Sequence, residues 1–365
     1  MTNKSLLTIK RYGFIIPVLF LFFQSCKGEG ENEGGGEIIY PEHHQVPARI
    51  VSPANGDQFD FGDEITVEIE VKEPEKVKDM KLLVNGEVFA DDLKAESQNI
   101  TFKTDIGRVG EMKFFLSYVG DDGQEHGDNR EVVIFSDLVP ALKTVNIVEE
   151  LPHNRDSYTQ GLEFYQGKLF EGTGQWGLSH LQEVGVNNGE ILRQYAIPSN
   201  QFGEGITILN DTIYQLTYKA STCYYYDMDF NLLGQFNYEG EGWGLCNDGK
   251  SLIMSNGSHI LSWRNPKTFA VEKTLEVYDD QRGMINLNEL EVVNGNLLAN
   301  VYTEKYIVEI DTLSGKVLTK IDCSDLVRKK PLGSDVLNGI ALNPQNNKLY
   351  LTGKLWDKLY QVTIE

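Results

Sequence analysis

The sequence predicts an all-β protein in which a five-bladed β-propeller follows an immunoglobulin-like β-sandwich. Two observations lead to this expectation. Residues 47–135 contain short segments in which apolar and polar residues alternate, as in half-buried strands. Beyond Pro140, a short strand motif recurs five times at intervals typical of propeller blades. The chain of 365 residues is long enough for two such domains.

Residues 47–137 carry the strand and turn signals of a β-sandwich. In the segment ITVEIEV (65–71) every second residue is apolar. Asn85 and Gly86 supply the positive-φ residues of a tight turn between two strand-like segments. A second pair of strands, 112–119 and 131–135, is joined by a polar loop. We therefore expect an immunoglobulin-like domain that spaces or docks its neighbour.

The repeat occupies residues 141–365. The second positions of its five strand motifs are separated by 44, 39, 45 and 50 residues, and they are Gly161, Gly205, Gly244, Glu289 and Gly339. Each motif is followed by a turn and a second strand, which is the pattern of a four-stranded blade. The last blade is one strand short, and residues 144–148 are expected to supply that strand and close the ring. Two stacked sandwiches are the alternative, although they would need no regular period.

The first 25 residues have the features of a bacterial lipoprotein signal peptide. Positive residues precede an apolar run at 14–23 that is too short to span a bilayer. The run ends in FQSC, which resembles a lipobox and makes Cys26 the predicted lipidation site. A coincidental thiol after an ordinary signal peptide is the alternative. Residues 26–46 are rich in Gly and Glu and are expected to form a flexible tether. The protein is therefore expected to be exported to the cell envelope, where the lipid would be its only contact with the membrane.

Charge and cysteine content exclude several classes of function. The net charge of -21 argues against nucleic-acid binding, which needs clusters of Lys and Arg. The spacing of Cys223, Cys246 and Cys323 fits no CxxC pair, so we expect buried free thiols. His43 and His44 lie in the tether, and the other four histidines lack ligand spacing, so no metal site is predicted.

One end of the predicted ring is the expected functional site, because equivalent positions of the repeats converge there. The residues at this position are Gln160, Glu204, Trp243, Asn288 and Asn338. Glu204 is the only carboxylate among them, and aromatic neighbours would desolvate it and raise its pKa towards that of a proton carrier. The alternative is that Glu204 only binds neighbouring backbone amides.

Six segments resemble, in order, the motifs of the glutamine cyclotransferase family, of the plant and bacterial type typified by the papaya latex enzyme. They are YTQGL (158–162), FGEGIT (202–207), YEGEGWGL (238–245), LNELE (287–291), DVLNGIA (335–341) and TGKLW (352–356). The resemblance covers about residues 141–365. It implies a glutaminyl-peptide cyclotransferase, an acyltransferase that converts the N-terminal glutamine of peptides or proteins into pyroglutamate and releases ammonia. It implies no required cofactor, while a structural cation is left open.

The resemblance also implies roles for individual residues. Glu204 matches the catalytic acid, which would take a proton from the α-amine and deliver it to the departing amide nitrogen. The implied substrate-binding residues are Gln160, Asn288, Lys354, Trp243, Tyr158, Phe202, Tyr218 and Tyr302. Tyr218 and Tyr302 stand where the family usually has Trp, so the fit of the substrate is expected to differ. For Lys354 the alternative is a surface lysine near the channel mouth, and Trp356 is expected to pack in the core.

Two hypotheses of function follow. The leading one is a monomeric enzyme that acts on peptides or proteins with N-terminal glutamine. The alternative is a non-catalytic surface propeller lipoprotein that binds peptide N-termini or another partner.

Overall fold

A computed structural model describes residues 46–365, and these residues form an almost purely β structure. The predicted signal peptide, Cys26 and nearly all of the predicted tether lie outside the described residues. The only helices in this range are a single 3₁₀ turn (Pro74–Lys76) and the short α1 (Ser324–Lys329). No helix within 46–365 has the length and apolar character needed to cross a membrane.

Eight strands precede residue 136, and they form two sheets. The strands are β1 (Ala48–Ser52), β2 (Gln58–Asp60), β3 (Glu64–Val71), β4 (Lys78–Val84), β5 (Glu87–Leu93), β6 (Gln98–Lys103), β7 (Gly110–Val119) and β8 (Glu125–Phe135). One sheet has the order β1-β3-β6 and the other the order β2-β8-β7-β4-β5. Their buried side chains form one apolar core.

The local signals in this region predict most of these strands correctly. In β3, Ile65, Val67 and Ile69 are buried and alternate with exposed residues, as the period of two requires. Asn85 and Gly86 adopt φ of 50° and 86° in the turn between β4 and β5, so the predicted hairpin is confirmed. β8 starts six residues earlier than predicted, because polar residues on its exposed face continue the pairing with β7.

Twenty strands follow residue 140. They are β9 (Ala141–Pro152), β10 (Thr159–Tyr165), β11 (Lys168–Thr173), β12 (His180–Val184), β13 (Ile191–Ala196), β14 (Gly203–Leu209), β15 (Thr212–Thr217), β16 (Thr222–Tyr226), β17 (Leu232–Asn237), β18 (Leu245–Asn247), β19 (Leu252–Met254), β20 (Ile260–Arg264), β21 (Val271–Glu276), β22 (Leu287–Val293), β23 (Asn296–Val301), β24 (Tyr306–Ile310), β25 (Val317–Asp322), β26 (Leu337–Asn343), β27 (Lys348–Gly353) and β28 (Lys358–Ile364).

The sheets of this second region repeat one plan. Strands β10 to β13, β14 to β17 and β18 to β21 form three four-stranded antiparallel sheets. The remaining strands form one sheet of eight, in the order β22-β23-β24-β25-β9-β28-β27-β26. β9 joins the two halves of that sheet, because its first residues pair in parallel with β25 and the rest pair antiparallel with β28. The predicted contribution of residues 144–148 to the last repeat is therefore confirmed.

The first strand of each repeat faces its neighbours at the centre of this region. These inner strands are β10, β14, β18, β22 and β26, and each contacts the next until β26 returns to β10. Glycine permits this close approach. A Cβ on Gly161 would lie 2.4 Å from the Ile206 nitrogen, and one on Gly205 would lie 2.5 Å from the Leu245 nitrogen. The glycines that reveal the repeat are thus required by the distance between inner strands.

Three cysteines and Trp356 belong to the apolar cores of the second region. Cys223, Cys246 and Cys323 are buried free thiols, as predicted. Burial raises the pKa of all three, so the thiols remain protonated and unreactive. Trp356 is fully buried, in agreement with its expected role in packing.

The first eight strands contact the second region through polar and aromatic groups. The ring of Phe135 stacks on that of Tyr278, with centroids 5.7 Å apart. The Arg108 guanidinium donates a hydrogen bond of 2.7 Å to the Thr274 carbonyl. These contacts lie beside β21 and the segment that follows it.

Candidate active site

A cavity of about 270 Å³ opens where the inner strands begin. Its lining contains all nine residues that the sequence places in the catalytic pocket and one further residue. The lining residues are Tyr158, Gln160, Trp176, Phe202, Glu204, Tyr218, Trp243, Asn288, Tyr302 and Lys354. The structure therefore brings the predicted residues together, while their individual roles stay predictions.

Irregular pairing at the start of the inner strands aims the polar side chains into the cavity. The register shifts between Thr159 and Gly161 in β10, which is the position of Gln160. Equivalent shifts occur around Glu204 in β14 and around Asn288 in β22. A bulge of this kind re-aims a side chain that regular alternation would place elsewhere. Repeated bulges thus explain why residues of one repeat position converge.

Glu204 is buried in the cavity and is 5% exposed. Burial raises its pKa well above the ordinary value; the positive charge of Lys354 opposes this rise, and the negative charge of Glu241 adds to it. Across residues 46–365 no backbone N–H donates to this carboxylate within hydrogen-bond distance, so the alternative of a purely structural role is not supported. The carboxyl group is available to a substrate.

Lys354 supplies the positive charge of the cavity. It is 3% exposed, so the alternative of a surface lysine is wrong. Its ammonium lies 4.9 Å from the ring centroid of Tyr158 and 5.3 Å from that of Tyr302. Burial lowers its pKa, and the negative charges of Glu204 and Asp335 partly oppose this. Within the described part of the chain, no carboxylate lies within 4.0 Å of the ammonium.

Two amide side chains complete the polar part of the lining. The Gln160 Oε1 atom accepts a hydrogen bond of 3.3 Å from Asn338 Nδ2, whereas the amide nitrogen of this lining residue has no hydrogen-bond partner within residues 46–365. Asn338 does not line the cavity, although it shares the repeat position; it also donates to the Thr159 carbonyl. The Asn288 Oδ1 atom is buried and has no partner in residues 46–365. Gln160 and Asn288 can therefore bind polar groups of a ligand.

The other wall of the cavity is a continuous series of aromatic rings. Neighbouring centroids lie 5.6 to 6.5 Å apart along the order Tyr158, Phe202, Tyr218, Trp243 and Tyr302. Every pair meets edge to face, the geometry that ring quadrupoles favour. Tyrosine at positions 218 and 302 thus preserves an unbroken wall.

Two acidic residues next to the cavity orient the aromatic wall. The Tyr158 hydroxyl donates a hydrogen bond of 2.7 Å to Asp335 Oδ2, and Trp243 Nε1 donates one of 3.1 Å to Glu241 Oε2. Burial, together with the Asp335 carboxylate, raises the pKa of Tyr158, which therefore stays neutral. Neither acid was predicted from the sequence, although Glu241 lies in YEGEGWGL (238–245) and Asp335 in DVLNGIA (335–341).

Sequence reasoning also missed Trp176, which lies in the loop between β11 and β12. Tyr218, Tyr302 and Lys354 follow the second strands of their repeats directly. Trp176 lies three residues after β11, which is the second strand of the first repeat. The equivalent segment therefore supplies a lining residue in four of the five repeats, and this equivalence is the signal that could have identified Trp176.

Three further glutamates are packed among the inner strands. Glu289 stands at the repeat position that is glycine in the other four copies, and its two oxygens accept hydrogen bonds from the Leu162 and Ile340 nitrogens. Burial raises the pKa of Glu163 to about 8 and that of Glu291 well above its ordinary value. None of the three lines the cavity, so Glu204 remains the carboxylate of the site.

Comparisons with known proteins identify the family of the chain. The family model described as glutamine cyclotransferase matches residues 129–364. A glutaminyl-peptide cyclotransferase from Arabidopsis thaliana is 35% identical over 237 residues, which cover 63% of this chain and 74% of that protein. The crystal structure of Myxococcus xanthus glutaminyl cyclase superposes with a TM-score of 0.59 at 32% identity, covering 62% of this chain and 98% of the other. The chain therefore belongs to the glutamine cyclotransferase family.

Proposed function

We propose that the cavity cyclises the N-terminal glutamine of peptides or proteins to pyroglutamate and releases ammonia. The observation that carries this proposal is that a buried carboxyl group, Glu204, and a buried ammonium, Lys354, line the same cavity of about 270 Å³. Membership of the family and the two relatives named above support the same reaction.

In the proposed mechanism the α-amine of the substrate attacks the carbon of its own γ-carboxamide. The Glu204 carboxylate accepts the proton that the amine loses when the new C–N bond forms. It then delivers that proton to the departing amide nitrogen, so the C–N bond of the carboxamide breaks and ammonia leaves. Because both reacting groups belong to one residue, holding that residue in a reactive conformation supplies much of the rate enhancement.

The remaining polar residues bind the carboxamide of the substrate, and the donors among them stabilise the charge that develops on its oxygen. Lys354, Gln160 and Asn288 line the cavity from three different strands or loops. The ammonium and the Gln160 amide nitrogen are hydrogen-bond donors in a site from which most water is excluded, where such donors have their largest effect. The aromatic wall holds the apolar part of the glutamine side chain. No step of this mechanism requires a cofactor.

We also propose that the catalytic region, residues 141–365, is a five-bladed β-propeller. The closed cycle of five inner strands and the repeated four-stranded plan support this architecture. Residues 47–137 are proposed to be an immunoglobulin-like β-sandwich, which is supported by two sheets packed on one apolar core. Residues 1–25 and 26–46 are proposed to be signal peptide and tether.

The proposed location is the cell envelope of a bacterium, where lipid on Cys26 would anchor a monomer. The support for this lies in the sequence: a short apolar run, a lipobox-like FQSC segment and a Gly- and Glu-rich tether. N-terminal glutamines of exported peptides would then be within reach of the enzyme.

The test of the proposed function is incubation of the purified protein with glutaminyl-glycine. Ammonia should form in equal amount to pyroglutamyl-glycine, measured by an enzymatic ammonia assay and mass spectrometry. The matched control is the same dipeptide with an acetylated α-amine, which lacks the nucleophile and should release no ammonia. Absence of ammonia from both dipeptides would contradict the proposal and favour the binding-protein alternative.

A further inference from the structure

We propose that Trp176 is a specificity-determining residue that binds the side chain of the second residue of the substrate and favours an aromatic one there. The inference rests on the proposed function and extends it from the glutamine itself to the peptide that follows. It draws on the size of the cavity, the exposure of this indole and the anchoring of its loop.

The size of the cavity limits how much of a peptide it can enclose. Pockets that enclose drug-sized ligands have volumes of roughly 300 to 1,000 Å³, and this cavity has about 270 Å³. It is thus smaller than a pocket that encloses a drug-sized ligand, and we place only the reacting glutamine inside it. The amine and the γ-carboxamide of that residue must reach Glu204, so the peptide leaves from its carbonyl carbon and the second residue lies at the mouth.

Trp176 is the residue at the mouth. It is 58% exposed, whereas every other lining residue is buried or half-buried. Its ring contacts Phe202 edge to face, with centroids 5.8 Å apart and an interplanar angle of 70°. A Cβ on Gly174 would lie 2.4 Å from the Phe202 ring, so glycine is needed for the loop to approach this closely. The indole thus extends the aromatic wall out of the cavity and leaves a large apolar surface open.

The loop that carries the indole is held in place by hydrogen bonds to the residue before β10 and to the first residue of β14. The Gly174 nitrogen donates to the Tyr158 carbonyl at 2.8 Å. The Ser179 hydroxyl donates to the Gln175 carbonyl at 2.6 Å and accepts from the Gly203 nitrogen at 2.9 Å. The backbone on both sides of Trp176 is therefore held in place before a substrate binds, which reduces the conformational entropy lost when the indole contacts the substrate.

An exposed, fixed indole favours an aromatic side chain on a ligand. Aromatic pairs in this geometry strengthen binding by a factor of roughly 2 to 12 beyond the burial of area. Because the second residue takes no part in bond making or breaking, the contact stabilises ground state and transition state alike. It should therefore change KM and leave kcat nearly unaltered.

The experiment compares glutaminyl-phenylalanine amide with glutaminyl-glycine amide. The wild type should use the phenylalanine peptide with the higher kcat/KM, through a lower KM. Trp176→Ala should raise KM for that peptide by a factor of roughly 2 to 12 more than it raises KM for the glycine peptide. Trp176→Phe should restore much of the preference. The matched control is Leu178→Ala, which removes an exposed apolar side chain from the same loop outside the cavity and should change neither peptide.

Two results would overturn the inference while leaving the proposed function intact. One is a wild type that cyclises both peptides with equal KM. The other is a Trp176→Ala variant that loses activity equally on both, because the indole would then only support Phe202. Absence of turnover with every peptide would instead contradict the proposed function, and this inference with it.

Discussion

Lys354→Met removes the positive charge of the cavity and keeps most of the length of the side chain. The wild-type ammonium lies 4.9 and 5.3 Å from the centroids of two phenol rings, and no carboxylate of the described chain lies within 4.0 Å of it. Losing one oxyanion donor typically costs about 100- to 1,000-fold in kcat. A charged donor belongs at the upper end of that range because its hydrogen bonds are stronger.

The same change should alter the pH dependence of the reaction. The charge of Lys354 opposes the rise in the pKa of Glu204 that burial causes, so removing it should raise that pKa further. Because Glu204 must be ionised to accept a proton, the variant should lose more activity at low pH than at high pH. The acid limb of its kcat profile should therefore move to higher pH.

The assay is ammonia release from glutaminyl-glycine across a range of pH. The matched control is Lys219→Met, since the Lys219 ammonium lies 4.9 Å from the Tyr218 ring but is exposed and outside the cavity. This control should retain wild-type kcat. A kcat for Lys354→Met within about threefold of the wild type would refute the proposed oxyanion role.

Three further predictions concern anchoring, architecture and stability. Cys26→Ser should move the protein from the membrane to the soluble fraction on immunoblots, and its retention in membranes would exclude the lipid as the sole anchor. A chain starting at Leu138 should fold and keep its kcat, whereas one starting at Pro152 should aggregate because the strand paired with β28 is lost; a soluble, cooperatively unfolding product from Pro152 would contradict the closure. The pKa of His153 is raised, since the buried Glu171 carboxylate at 3.2 Å outweighs the effect of burial. Its stabilising contribution is present below pH 6.5 and is lost as the pH rises through the raised pKa, so Tm should fall as the pH rises above 6.5, and less so in His153→Gln. An equal fall in both proteins would assign the effect to other groups.

Much of the site could be predicted because its residues share one position in a repeat. The glycines that allow inner strands to approach recur in sequence, and Gln160 and Glu204 stand just before two of them, while Asn288 stands at the same repeat position before Glu289. The glycine pattern therefore reveals the ring, and the ring places these side chains together. The raised pKa of Glu204 also followed from its aromatic neighbours in sequence.

The features of the site that were not predicted depend on tertiary contacts that leave no periodic pattern in the sequence. Trp176 lies in a loop whose position is set by hydrogen bonds to Tyr158 and Gly203, and neither bond has a local signal. Asn338 has the expected repeat position, yet it holds Gln160 and does not line the cavity.

Irregular connections were missed for a similar reason. The longest interval of the repeat contains α1, a short helix that propensity does not indicate. β9 pairs with two different strands along its length, and this double pairing depends on the geometry of closure rather than on local pattern.

The most direct test of the account is the turnover of Glu204→Gln on glutaminyl-glycine, compared with that of the wild type. The amide keeps the shape of the side chain but cannot accept or deliver the proton, so kcat should fall by about 100- to 10,000-fold while circular dichroism stays unchanged. The wild-type kcat should rise with pH through an ionisation above the ordinary pKa of a glutamate, and the residual activity of the variant should lack it. Equal kcat for two correctly folded proteins would contradict the claim that Glu204 carries the proton.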